Sequence, residues 1–299
     1  MQQKKSHIWF SAPGSKHYEC KRFRNHPYSF VNLSITGKHC ACRCEHCNAK
    51  LLQSMIPVET AEKMCRTVDL LIKKGCRGIL VSGGANSRGD VPLDQFIRPI
   101  QYARQQGLPV LVHSGIIRKE TAILLKNCGV NQVLFDVIGH KQTICEVYHL
   151  ENTPEDYLNS MAICRDVGLD FVPHVVIGLH FGKIVGEYEA LRMIGDMMPG
   201  HLVLVILTPM AGTGMSEVKP PELDEVEGVL ETARARNQDT FLTLGCARPS
   251  GRYGWSVEKM VIDHGFNGIA FPSDTAVDYA SSQGLIPIFT EACCCMVRS

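Results

Sequence analysis

The sequence has almost no excess of charge: 31 Lys and Arg stand against 30 Asp and Glu, a net of +1 over 299 residues. That removes the electrostatic basis for holding nucleic acid or an anionic membrane surface. Long apolar runs are missing too. The longest are of strand length, which excludes a transmembrane helix. The basic start Met1-Gln-Gln-Lys-Lys-Ser-His7 has no apolar segment behind it and does not have the form of a secretion signal. No repeat, linker or low-complexity tract divides the chain, so one domain is expected. What is plentiful is cysteine, 14 in all. Without an export signal, so many thiols imply a reducing cytoplasm and metal binding rather than disulfides.

Apolar runs recur with helical stretches between them. Strands are expected near Phe30–Ile35, Gly78–Ser82, Pro109–His113, Gln132–Asp136, Asp170–Ile177, Leu202–Leu207, Thr240–Leu244 and Gly268–Phe271. They are rich in Val, Ile and Leu without alternation, as parallel strands buried on both faces are. Amphipathic helices are expected over Pro57–Lys74, Leu93–Gln106, Lys119–Asn127, Pro154–Val167, Gly186–Met198 and Leu223–Arg236. Gly75, Gly107, Gly129 and Gly168 are placed to close helices. This alternation predicts an α/β fold, a (β/α)8 TIM-type barrel that is complete or partly open, over residues 30–274. Residues 1–29 and a Cys-rich 275–299 are expected as extensions of it.

In such a fold chemistry sits at the C-terminal ends of strands. The first expected strand runs into Gly37-Lys-His-Cys-Ala-Cys-Arg-Cys-Glu-His-Cys47, placing Cys40, Cys44 and Cys47 in a C-x3-C-x2-C spacing. Three thiolates so close can hold three irons of a 4Fe–4S cluster and leave the fourth open. A closed zinc site wants four ligands, and Cys42 or His46 would have to complete it. Unligated buried thiols are common, but packing does not explain four cysteines within residues 40–47.

The motif resembles that of the radical S-adenosylmethionine (radical SAM) enzymes. The resemblance implies a 4Fe–4S cluster on Cys40, Cys44 and Cys47 whose open iron chelates SAM, with His46 among the cofactor-binding residues. Val81-Ser-Gly-Gly-Ala85 resembles the family's GGE element, with Ala85 where Glu is usual, which implies backbone contacts to SAM from Ser82, Gly83 and Gly84. Ser114, after the third strand, and Asp136, at the end of the fourth, are expected at the mouth, Asp136 toward a ribose hydroxyl. By the same resemblance Ile177 and Gly178 would lie against the adenine. The segment Pro209-Met-Ala-Gly-Thr-Gly214 is similar to the P-x-x-G-T-P of biotin synthase and its relatives, implying that Pro209 and Gly212 bracket the adenine.

Several features point to the biotin synthase-like branch, and most to a subunit of the two-protein lipoyl synthase system. They are the opening Phe10-Ser-Ala-Pro-Gly-Ser-Lys-His-Tyr18, the segment Ser34–Cys47, the loop Val81–Leu93, Gly245-Cys-Ala-Arg-Pro249 and the ending Cys293-Cys-Cys-Met296. The N-terminal C-x4-C-x5-C motif of single-chain lipoyl synthase is absent. The resemblance implies reductive cleavage of SAM and sulfur insertion into an unactivated C–H of an octanoyl chain. The sulfur would come from an auxiliary cluster on Cys246 and some of Cys293, Cys294 and Cys295, with Cys20 and Cys42 as rival ligands. Cys65, Cys76, Cys128, Cys145 and Cys164 are expected as buried small hydrophobes. Implied partners are SAM, an octanoyl-lysyl carrier protein or peptide, a second radical SAM subunit and a donor such as ferredoxin or flavodoxin. Two alternatives stand beside this. One is another biotin synthase-like reaction: dethiobiotin sulfuration, a carbon-skeleton rearrangement or metallocofactor assembly. The other is a non-enzymatic zinc or iron–sulfur module.

Overall fold

The computed structural model describes residues 6–296; Met1–Lys5 and the last three residues of the expected extensions lie outside it. In chain order the elements are β1 (His7–Ser11), β2 (Glu19–Cys20), β3 (Phe23–Arg24), β4 (Val31–Ser34), β5 (Ile56–Pro57), α1 (Ala61–Lys73), β6 (Ile79–Ser82), α2 (Ile97–Gln105), β7 (Val110–His113), α3 (Lys119–Asn127) and β8 (Gln132–Asp136). Then come α4 (Lys141–Tyr148), α5 (Pro154–Asp166), β9 (Phe171–Ile177), α6 (Glu187–Met197), β10 (His201–Ile206), α7 (Leu223–Arg236), β11 (Phe241–Leu244), α8 (Gly251–Asp263), β12 (Gly268–Ala270), α9 (Asp274–Ser282) and β13 (Ile286–Thr290). Short 3-10 turns cover Lys50–Ser54 and Leu93–Phe96.

Local chemistry sets several boundaries. Thr60 caps α1 by accepting from the Lys63 N–H at 3.2 Å. Thr153 and Asp156 form a capping box at α5, with Pro154 in the first turn. The four glycines expected to close helices all take positive φ, Gly75 at +82° for example.

Eleven strands form one sheet in the order β13-β1-β12-β11-β10-β9-β8-β7-β6-β4-β5. Neighbouring strands are parallel throughout. The sheet curls in TIM-like fashion but stays open between β5 and β13. All eight expected strands are present. Residues 7–11, grouped by sequence with an N-terminal extension, form β1 between β12 and β13. Helices α4, α8 and α9 and strand β13 add to the expected set.

Both faces are buried, each in its own cluster. Val110, Val112, Val133, Phe135 and Leu204 pack against the helices. The alternate residues Leu111, Leu134, Val172 and Val203 belong to a second cluster that contains no helical residue. That cluster is the concave face, and Cys294, Cys295 and Met296 complete it. After β13 the tail crosses the N-terminal end of the sheet. Glu291 meets His26 Nδ1 at 2.7 Å and Arg77 Nη1 at 3.7 Å, on the segments leading into β4 and β6. Cys295 and Met296 border a cavity of about 250 Å³ with Gln132, Asp170 and His201, at the starts of β8, β9 and β10. Cys76, Cys128 and Cys164 are buried as expected, but Cys145 is exposed and Cys65 half-exposed. Cys145 falls on the solvent side of α4, a helix the sequence pattern did not delimit.

One buried ion pair ties the last strands together. Arg248 Nη2 lies 2.6 Å from Glu258 Oε1, with side chains 9% and 3% exposed. Arg248 also donates to the carbonyls of Gly245, Ala270 and Phe271, and Glu258 accepts from Ser273 N and Oγ. Removing one partner strands a buried charge. Glu258→Ala should lower the unfolding free energy by about 3–5 kcal/mol in denaturant titration. Arg248→Met combined with Glu258→Ala should cost less than Glu258→Ala alone; an additive loss would contradict the pairing.

Candidate active site

The motif follows β4 directly. Ile35 N–H donates to Ser82 O at 2.8 Å, extending the β4–β6 ladder, and His39 N–H closes a turn onto Thr36 O at 3.1 Å. Arg43, Asn48 and Ala49 all take positive φ, at +45°, +43° and +60°. Three non-glycine residues in this region within one loop store strain that the surroundings must hold. The holding contacts centre on Glu45. Its N–H donates to Val147 O at 2.9 Å, its carbonyl accepts from Met215 N–H at 3.2 Å, and its carboxylate lies 3.2 Å from His149 Nε2.

The loop brings the thiols together. Ligand atoms of Cys44, His46 and Cys47 lie within 4.8 Å of one another. Cys40 lies outside that group, its Sγ directed to Ala85 O at 3.8 Å. Cys44 draws the Cys47 thiol down, with His46 adding to the effect, while Cys42, then Cys47 and burial, push Cys44 up. Burial opposes the protonation of His46, but Cys47 outweighs it and raises its pKa. His46 Nδ1 is buried without a partner. Cys42 Sγ is directed to Asn86 O at 3.3 Å. This donor set, all soft thiols beside one imidazole, fits an iron–sulfur cluster.

Gly84 explains why the glycine pair follows β6. A Cβ there would collide with His39 O and with Cys40 Cα and Cβ. Its N–H donates to Thr36 Oγ1 at 2.7 Å, and Ala41 N–H donates to Ala85 O at 2.9 Å. The two loops are therefore stitched backbone to backbone. Gly83 is less constrained, since a Cβ there would meet only Thr36 and Ile35 side chains at 3.0–3.1 Å. Ser82, buried, donates to His113 O at 3.1 Å, and Ser114 turns its hydroxyl to Gly115 O.

Asp136, half-buried at the end of β8, accepts from Tyr148 OH at 3.0 Å and lies 3.9 Å from His113 Nε2. Ile177 is fully buried. Gly178 turns sharply at φ +80°, and the buried Glu187 holds that turn by accepting from Gly178, Val185 and Gly186 N–H groups at 2.7, 2.8 and 3.0 Å. Glu187, in the first turn of α6, thus also fixes the end of β9. The Pro209–Gly214 loop folds over the motif: Lys50 Nζ donates to Ala211 O, and Gly214 packs on Glu45.

The second thiol group lies on the concave face. Cys293, Cys294 and Cys295 place their sulfurs within 4.8 Å of one another. Hydrogen bonds from Cys294 and Cys295 draw the Cys293 thiol well down. Cys246 stands outside this group and is exposed at the end of β11. The mass of protein around it nevertheless pushes its thiol up, and Cys293 adds to the rise. Arg248, two residues after Cys246, is committed to Glu258. Cys20 lies in the β2–β3 hairpin, away from both groups.

A file of polar side chains joins the two thiol groups. Cys295 Sγ is 3.6 Å from His174 Nε2; the His174 and His113 rings are 6.0 Å apart; His113 faces Asp136, Asp136 holds Tyr148, and the Tyr148 ring is 5.1 Å from His46. Sequence patterning did not single out Glu45, Tyr148 or Glu187, because their partners are loop backbone and distant strands.

Gly84→Ala should abolish iron retention at the motif and SAM cleavage, whereas Gly83→Ala should retain most of both. Iron content and 5′-deoxyadenosine formation check this; normal iron in Gly84→Ala would contradict the backbone contact.

The comparisons agree with this geometry. Residues 34–187 match the model of the radical SAM superfamily, just over half of the chain. A biotin synthase of Ruthia magnifica subsp. Calyptogena magnifica is 19% identical over 248 residues, covering 80% of this chain and 75% of that enzyme. Among solved structures, HydG, a maturase of the FeFe-hydrogenase, superposes with a TM-score of 0.62 at 15% identity over 89% of this chain, which spans only 57% of HydG. Methylornithine synthase superposes with a TM-score of 0.57 at 12% identity over 95% of this chain and 84% of its own. A glycine-pinned cysteine loop at the end of a parallel strand and the family match across it lead to one conclusion: the chain belongs to the radical SAM superfamily.

Proposed function

We propose that this protein is a sulfur-inserting radical SAM enzyme of the biotin synthase-like branch. Its substrate would be an octanoyl chain carried on a lysine of a carrier protein or peptide. The observation that carries this reading is the pair of separate thiol groups, one at the strand ends and one on the concave face, joined by the file from His46 to Cys295. Similarity to biotin synthase over most of the chain supports it.

When bound at Cys40, Cys44 and Cys47, a 4Fe–4S cluster supplies the electron that cleaves SAM to methionine and a 5′-deoxyadenosyl radical. The chain's own residues do the rest. The backbone of Ser82, Gly83 and Gly84 faces the amino acid portion of SAM, and Asp136 accepts from the ribose. Ile177 and Gly178 on one side and Pro209 and Gly212 on the other bracket the adenine. The apolar concave face keeps water from a radical that would otherwise be quenched. The substrate hydrogen would leave in 5′-deoxyadenosine, and an auxiliary cluster, when bound, would supply the sulfur for the new C–S bond and take up the electron left over. Cys246 and some of Cys293, Cys294 and Cys295 would hold this auxiliary cluster. A ferredoxin or flavodoxin supplies reducing electrons, and a second radical SAM subunit completes the two-sulfur product.

Two outcomes are expected. Cys40→Ala, Cys44→Ala and Cys47→Ala should each reduce 5′-deoxyadenosine formation to background, and cleavage surviving in any of them would contradict the assignment. Cys246→Ala should still form 5′-deoxyadenosine but yield no thiolated octanoyl peptide by mass spectrometry. Undiminished thiolation would remove Cys246 from the auxiliary site.

A further inference from the structure

Three adjacent cysteines share one short stretch of backbone, so their thiols approach a metal from one side only. A complete centre on the concave face needs a donor from the sheet opposite. His174 in β9 occupies that place. Its neighbour two residues back, Val172, belongs to the concave cluster with Cys294, Cys295 and Met296, and alternation along the strand puts His174 on the same face. Across the sheet His174 registers with Val203 of β10 and Asp136 of β8. Its backbone is therefore fixed by ladders on both sides.

The ring is oriented by its own strand. Nδ1 lies 3.1 Å from Val172 O, and a carbonyl can only accept, so Nδ1 carries the proton. Nε2 is left with its lone pair, and it points at Cys295 Sγ at 3.6 Å. A histidine that donates one ring N–H to a backbone carbonyl and turns the other nitrogen to a group of thiols is the arrangement of a metal-ligating imidazole. Imidazole and thiolate together suit iron and zinc alike.

We propose that His174 Nε2 is a ligand of the metal centre held by the tail cysteines, making it a mixed imidazole–thiolate site. This rests on the reading above that the tail holds an iron–sulfur cluster. The tail is then bound to the sheet by metal as well as by Cys294, Cys295 and Met296 packing. Imidazole in place of thiolate also leaves the cluster less negatively charged and easier to reduce, which suits a cluster that takes up an electron as it gives up sulfide.

The test uses the full chain carrying Cys40→Ala, Cys44→Ala and Cys47→Ala, so that only the tail centre contributes. It is loaded anaerobically with Fe²⁺ and sulfide and reduced with dithionite. Pulsed EPR compares protein from cells grown on ordinary and on 15N-labelled histidine. The expected result is a strongly coupled nitrogen that changes isotope signature with the label and disappears in His174→Ala. His174→Cys guards against simple misfolding: it should keep its iron, through a fourth thiolate, and lose the nitrogen coupling. Iron bound with no histidine coupling would overturn the role of His174 while leaving the tail cluster in place. No iron in the triple variant would overturn the tail cluster and the ligand together.

Discussion

The structure depends on how the concave face of an unclosed parallel sheet is covered. In a closed barrel, layers of inward side chains fill the interior from all sides. Here the sheet stops at β5 and β13, and the inward residues Leu111, Leu134, Val172 and Val203 have no opposing strand to meet. The tail meets this need by packing Cys294, Cys295 and Met296 onto them. The same contact carries thiols beneath the strand ends where Cys40, Cys44 and Cys47 sit. Covering apolar surface and bringing a second group of thiols onto the concave face are one event.

The upper site is held by backbone rather than by bulk. A loop with three left-handed non-glycine residues would not persist alone. It persists because Gly84 lets the β6 loop touch Cys40, and because Glu45 binds α4 on one side and the Pro209–Gly214 loop on the other. The loop that would cover the adenine is thus fastened to the loop that would hold the cluster.

Much of this was legible in the sequence, for identifiable reasons. The eight inner strands are continuous Val/Ile/Leu runs, and Lys119–Asn127 and Leu223–Arg236 match their helices because apolar spacing and capping agree. The cysteine motif was legible because all its ligands sit within one loop. β1 and β13 were not, because each pairs with strands at the opposite end of the chain or with the other. α8 has glycines at 251 and 254, which weaken any helical signal. The surroundings of His174, the histidine of β9, were not legible, since the thiol it meets is 121 residues away. The Arg248–Glu258 pair was not legible, because Glu258 lies in a helix that patterning missed.

The most direct test of the account is the iron and acid-labile sulfide content per chain of anaerobically purified protein, with Mössbauer spectra. Wild type would be compared with the variant carrying alanine at positions 40, 44 and 47. Two four-iron clusters give about eight irons per chain in wild type and about four in the variant. About four falling to none would contradict the second centre and leave a one-cluster radical SAM enzyme of non-sulfurating chemistry.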